Sequence, residues 1–332
     1  MDNKITKRRL TNLLAYDWIK IVIIIVAVIL VWSLAFTIGA PRASTGQVFN
    51  VFYYGEFSYQ KSPSVINYEA KNSGAYSYDV LSLDARELYL DYYATIMSAV
   101  SATYEGDIMI TVDSKDKIQS NSSEFRNFID GYGYEVYDYD SLIKDAKNYC
   151  LLNGFVLLQN DGSYALNERA IKSHFAKRMQ KDPRFKKKDG EKYKQGELNE
   201  IARIKSVWNN AIMLEDCLNK HPELRYNYKR FAQLIQKDPD NYKDEVYHNT
   251  QELTYGLNLG ALSGGQVDVN TEYSKPIFDE NGTHIYSNPI VMCVFNYLPH
   301  QPDLQFESLG FVNFMIKKYS NFLNDNALGV IA

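Results

Sequence analysis

Ile21 to Ala40 runs for 20 residues without a charge. A helix rises ~1.5 Å per residue, so this run is ~30 Å long, the thickness of a bilayer core. Lys4, Lys7, Arg8 and Arg9 precede it, Lys20 sits at its start, and only Arg42 follows closely. That asymmetry predicts a cytoplasmic N-terminus and an outer C-terminal domain. A cleaved signal peptide is the competing reading, but its apolar core is usually ~7–15 residues. Ile38 two residues before Ala40, with Pro41 after it, also makes a poor cleavage site. The expectation is a single-pass cell-membrane protein: a cytoplasmic tail over 1–17, an anchor over 18–40, a linker over 41–46 and an extracellular domain over 47–332.

The first twenty residues hold five basic and two acidic groups, which leaves 31 basic and 38 acidic groups beyond them. An acidic outer domain argues against nucleic acid as a partner. Cys150, Cys217 and Cys293 are too few and too scattered for a disulfide framework, and Cys293 lies in the apolar run Val291–Phe295. The 27 tyrosines combine a flat apolar face with a polar tip, which suits half-buried surfaces and binding clefts.

The outer domain alternates strand and helix signals. Val48–Tyr54 is β-branched and aromatic and predicts a strand ended by Gly55. Asp84–Thr103 predicts a helix, with Leu88, Tyr92, Ile96 and Ala99 at helical spacing. Ile108–Val112 predicts a strand. Ser122 or Ser123 caps a helix to Asp130, Tyr134–Tyr137 predicts a second short strand, and Asp140 opens the next helix. Phe155–Leu158 and Tyr164–Leu166 flank a hairpin turn. Residues 168–253 read as mostly helical, including a helix opened by Pro222 and carrying Leu224, Tyr228, Phe231 and Ile235. Asn281-Gly282 marks a turn, Ile290–Phe295 suits a buried strand, and Asp303 caps a last helix through Leu323. Such alternation predicts an α/β layer with parallel pairing.

The sequence offers little catalytic chemistry. His174, His221, His248, His284 and His300 are never three or four residues apart, so no helical metal pair forms. Asp138-x-Asp140 and Asp238-x-Asp240 lack the glycine and closing glutamate of a calcium loop. Glu105, Asp107 and Asp113 suit caps and turns better than a glycosidase pair. No nucleophile elbow, P-loop or dinucleotide fingerprint is present. No enzyme activity, cofactor or metal is expected. Between Glu168 and Lys205 there are 13 basic and 6 acidic residues, a pattern that fits either an anionic partner or a solvated face.

Several stretches resemble the extracellular solute-binding proteins of ABC importers, the two-lobed type 2 kind. Val48–Gly55 looks like the opening strand of that family, and Glu105–Ile110 like a strand that carries an Asp before apolar residues. Phe125–Tyr132 with the Leu142 helix follows the family's order of elements. Tyr255-Gly256-Leu257-Asn258 looks like a hinge segment, and Asp303–Leu323 like the closing helix. The resemblance implies an α/β, two-lobed periplasmic-binding-protein-like domain behind a single transmembrane helix. It further implies a small-molecule solute, a sugar or oligosaccharide first, and permease subunits as partners, with the membrane lipid held by the anchor. Tyr53, Tyr54, Glu56, Asp113, Ser114 and Asn258 are the expected ligand contacts, the tyrosines stacking on a sugar ring and the acids and amide binding hydroxyls. The alternative is a non-catalytic accessory protein of the cell envelope.

Overall fold

β1 (Val48–Tyr54) is buried at six of its seven positions, the pattern of a strand with both faces covered. It pairs in parallel with β2 (Ser82–Leu88) on one side and β3 (Ile108–Val112) on the other. The connection to β2 runs through α2 (Pro63–Asn72), and that from β2 to β3 through α3 (Leu90–Thr103). The two crossovers step in opposite directions across the sheet, so a right-handed connection places their helices on opposite faces. The computed structural model describes residues 11, 18–39, 43, 47–55, 57, 61–113, 123–185, 190–230, 232–237, 244–249, 252–273, 277–278, 284–286, 289–297 and 306–331.

The sheet continues past β3 with β12 (Ile290–Val294), β9 (Glu252–Asn258) and β6 (Arg225–Lys229), giving the order β2-β1-β3-β12-β9-β6. β12 is antiparallel to both β3 and β9, so β9 runs the same way as β1 and β3. The fold is thus mixed α/β. Two-stranded pairs stand outside the sheet: β4 (Val156–Leu158) with β5 (Tyr164–Leu166), β7 (Ala232–Lys237) with β8 (Asp244–Asn249), and β10 (Ile277–Phe278) with β11 (His284–Tyr286), and the short helix α8 (Val269–Tyr273) follows β9.

One face of the sheet packs Phe49, Val51, Tyr53, Ile108, Ile110 and Met292 against α2, α5 (Tyr139–Leu152), α7 (Glu191–Lys220) and α9 (Glu307–Tyr319). The other packs Phe52, Tyr54, Met109, Val291 and Cys293 against α3 and α4 (Glu124–Tyr132). Several helix starts follow from side-chain caps. Ser123 accepts from the Arg126 N–H at α4, Asp138 from Ser141 at α5, and Asn167 from Ala170 at α6 (Glu168–Arg178). The three cysteines are buried free thiols.

Residues 45–332 form one compact unit and residues 1–44 another. In the latter, α1 (Trp18–Gly39) is a 22-residue apolar helix with no acidic residue in its first turn and no basic residue in its last. Its length and composition suit a membrane span, and a signal sequence shares both properties.

Three sequence expectations need correction. Ser82–Leu88 is a strand, not the first part of a helix from Asp84; seven registered pairs with β1 outweigh the helix propensity of Ala85, Arg86 and Glu87. The helical reading of 168–253 holds through α6 and α7 and fails beyond Pro222. There a single 3₁₀ turn leads into β6, whose edge pairing with β9 is satisfied by Arg225–Lys229 in extended form. Around Tyr134–Tyr137 the chain forms a 3₁₀ turn and an isolated bridge from Val136 to Phe295. The Asn281-Gly282 turn and the Asp303 cap lie outside the described residues.

Candidate functional site

Ligands of open α/β sheets gather beyond the carboxyl ends of the parallel strands, where neighbouring crossovers diverge. Here that place lies between β1 and β3. Tyr54 pairs with Thr111, Val112 with Ile290, and Val291 with Asn258, so the ends of β1, β3 and β9 share one edge. Tyr53, Tyr54, Asp113 and Asn258 all map to it; Glu56 and Ser114 lie outside the described residues.

The edge does not present these residues as a sugar site would need. Tyr53 and Tyr54 are each 1 % exposed and point to opposite faces of the sheet. Tyr53 stacks on Tyr273, ring centroids 6.4 Å apart, and Tyr54 stacks on Tyr93 at 3.9 Å. Neither ring is free to take a ligand, because a residue inside a fully buried strand spends its aromatic face on the core. Asp113 is also buried; it accepts the Tyr226 hydroxyl and pairs with Arg126 Nε at 3.3 Å. Asn258 is half-buried, and its Oδ1 accepts no hydrogen bond among the described residues.

A trough on the larger core face was not anticipated from the sequence. α9 carries Glu307, Gly310, Asn313, Phe314, Lys317 and Lys318 at spacings of three or four, which places them along one side of the helix. α7 answers with Arg203, Ser206, Asn210 and Met213 at the same spacing. Asn313 Nδ2 donates to the Asn210 carbonyl and to Asn210 Oδ1 at 2.9 and 3.1 Å, tying the helices together. The turn after α2 forms the floor. At Gly310 a Cβ would stand 1.9 Å from the Ala75 carbonyl oxygen, so only glycine allows this approach.

Two adjoining hollows occupy the trough, sharing Gly74, Ala75, Ser206, Asn210 and Gly310. The narrow one, about 240 Å³, holds Arg203 and Glu307. The wide one, about 510 Å³, holds Lys61, Glu69, Lys317 and Lys318.

The two ends differ in charge. At the wide end Glu69 accepts from Lys61 Nζ at 2.7 Å and Lys318 Nζ at 2.8 Å. Burial pushes the Glu69 carboxyl up, but these two ammonium groups outweigh it and hold the carboxyl below its ordinary value. Lys318 also meets Glu272, which accepts the Tyr319 hydroxyl at 2.5 Å. At the narrow end burial pushes the Glu307 carboxyl up, against the opposing pull of Arg203, the Ser77 hydroxyl and the Ser77 N–H. That N–H donates to Oε2 at 2.9 Å.

Behind the narrow end lies an ion cluster that draws in part of the basic stretch. Arg178 donates to Asp79 at 2.7 Å and to Glu200 at 2.6 Å, Arg184 to Asp79 at 3.1 Å, and Arg203 to Glu200 at 3.0 Å. These three arginines face inward partners. Lys186, Lys187 and Lys188 lie outside the described residues.

A sequence signal for the trough does exist. Glu307, Gly310 and Asn313 interrupt a helix whose Leu309, Val312 and Ile316 are core, and all six are buried. Among the described residues no group of three or more His, Cys, Asp or Glu side chains stands close enough to hold a metal ion. Comparison with family models, curated proteins and solved structures gives no match.

Proposed function

We propose that this chain is a membrane-tethered, extracellular solute-binding module that delivers its ligand to the permease of an ABC importer and acts by binding, without catalysis. The observation that carries the reading is the trough between α7 and α9. A hollow of about 510 Å³, with lysines, a carboxylate and amides around Met213, Phe314 and Leu323, has the size and mixed lining of a small-molecule site. α1 supplies the anchor in this reading, and the basic residues before it set the domain outside. The finer form of the proposal has two lobes that close over the solute about a hinge. It draws support from the mixed α/β sheet with its three neighbouring parallel strands.

Ligand binding is tested on the full-length chain in detergent by thermal shift against sugars, peptides and amino acids. A ligand at one hundred times its Kd adds ~2.7 kcal/mol. No shift across the panel replaces this reading with that of an envelope accessory protein. Protease added to intact spheroplasts should digest the domain beyond Arg42; full protection refutes the orientation. Small-angle scattering that shows no contraction with a bound ligand refutes hinge closure.

A further inference from the structure

We propose that the trough takes a short peptide with free termini, its amino group at Glu307 and its carboxylate at Lys317 and Lys318. This rests on the solute-binding reading and names the ligand class.

The first argument is an unmet demand. Glu307 is 5 % exposed. Its Oε2 takes the Ser77 N–H, whereas Oε1 accepts no hydrogen bond among the described residues. Arg203 Nη1 stands 4.0 Å from Oε1, beyond hydrogen-bond reach, while its Nε and Nη2 donate to Glu200 at 3.0 Å. A buried carboxylate oxygen without a donor is costly, and an ammonium group brings three donors and the compensating charge.

The second argument is polarity along the trough. Glu307 and Lys317 are ten helical positions apart on one side of α9, or ~15 Å at ~1.5 Å per residue. An extended peptide covers ~3.3–3.6 Å per residue, so four residues reach from one end to the other. A neutral sugar makes no use of this separation of charge, whereas a zwitterionic chain matches it at both ends.

The third argument is the middle. Ser206, Asn210 and Asn313 line the stretch between the charged ends; Asn210 Nδ2 donates to Ser206 Oγ at 3.0 Å and Asn313 Nδ2 to Asn210, which leaves an amide oxygen as the open acceptor for a peptide N–H. Asn313 Oδ1 accepts no hydrogen bond among the described residues. The wide end is the weaker anchor, since Glu69 already engages Lys61 and Lys318, and Lys317 lies 3.5 Å from Asp325.

The test uses the full-length chain in detergent, with calorimetry and thermal shift. The probes are tetra-alanine, N-acetyl-tetra-alanine, tetra-alanine amide and maltotetraose. Tetra-alanine should bind. Acetylation should weaken it about ten- to a hundredfold, the worth of one hydrogen bond to a buried charge. Amidation should weaken it about threefold, because the lysine end is shared with Glu69 and Asp325. Glu307→Gln, which retains an acceptor for Ser77, should reduce tetra-alanine affinity as acetylation does and leave the acetylated probe little changed. The acetylation comparison on the wild-type chain needs no variant to fold. Equal affinity for free and acetylated peptide overturns the inference. Binding of maltotetraose or another solute without tetra-alanine overturns it too and leaves the solute-binding reading standing. No binding by any probe or by the wider panel overturns both.

Discussion

Glu200→Ala removes the centre of the ion cluster behind the trough. Glu200 is fully buried and accepts from Arg203 Nε and Nη2 at 3.0 Å, Arg178 Nη2 at 2.6 Å and the Tyr78 hydroxyl at 2.9 Å. Without it Arg178 keeps Asp79, while Arg203, 2 % exposed, loses the carboxylate that takes its Nε and Nη2 and keeps the Tyr149 hydroxyl and a Glu307 oxygen 4.0 Å away among its contacts. Stranding a buried charge in this way costs ~3–5 kcal/mol. At ~2–4 °C per kcal/mol, the full-length chain in detergent should melt about 6–20 °C lower by near-ultraviolet circular dichroism. Glu200→Leu combined with Arg203→Met should lose less than the sum of the single changes, because the pair leaves together. A loss below ~1 kcal/mol for Glu200→Ala, or strict additivity in the double variant, would refute the argument. The pH dependence gives a second reading. Burial raises the Glu200 carboxyl, but Arg203, His174 and Arg178 outweigh it and hold the carboxyl well below its ordinary value of 4.5. A carboxylate held low in the folded state contributes fully above its unfolded pKa and loses that contribution as the pH falls through the folded one. Wild type and Glu200→Gln should therefore keep a constant gap above pH ~5 and converge below 4.5.

Gly310→Ala places a Cβ 1.9 Å from the Ala75 carbonyl, so its helix-propensity gain of ~1 kcal/mol is outweighed and the melting temperature falls; a rise would show that the floor of the trough yields freely. Tyr53→Ala and Tyr54→Ala should each cost ~3–5 kcal/mol in denaturant titrations, as losses of core aromatics, and normal stability with lost ligand binding would return them to a binding role. Burial pushes the Asp107 carboxyl up to about 7, against the hydrogen bond donated by the Asn50 N–H. A raised carboxyl favours the fold while protonated and loses that contribution as the pH rises from 3.8 to about 7, so Asp107→Asn should gain on wild type across that window; parallel pH curves would contradict it.

How legible each element was depends on where its determinants lie. β1, β3 and β12 are short, mostly apolar runs buried on both faces, broken only by Asn50 and Thr111, and such runs announce themselves. Ser123 marks the start of α4 by local chemistry, and Gly162 turns the β4–β5 hairpin. β2 carries no such mark. It is an edge strand with exposed Ser82, Arg86 and Glu87, and its state is set by β1 rather than by its own composition. The helical spacing of Leu224, Tyr228, Phe231 and Ile235 competed with a pairing to β9 that only the tertiary fold supplies. The signal for the trough was incomplete for a related reason. Glu307, Asn313 and Lys318 look like ordinary helix residues until the opposing stripe of α7 is known.

The pairing of β3 with β12 also sets a timetable. Residues 108–112 meet residues 290–294, so β3 emerges long before its antiparallel neighbour. At ~5–20 residues per second the wait is about ten to thirty-five seconds. Through that interval an apolar strand at the centre of the sheet exposes a bare hydrogen-bonding edge, the kind of surface that recruits another copy. Loop closure over so long a separation is slow in itself. Yield of folded protein should therefore depend on how well nascent β3 is shielded, by a chaperone or by provisional pairing, more than on the stability of the finished domain.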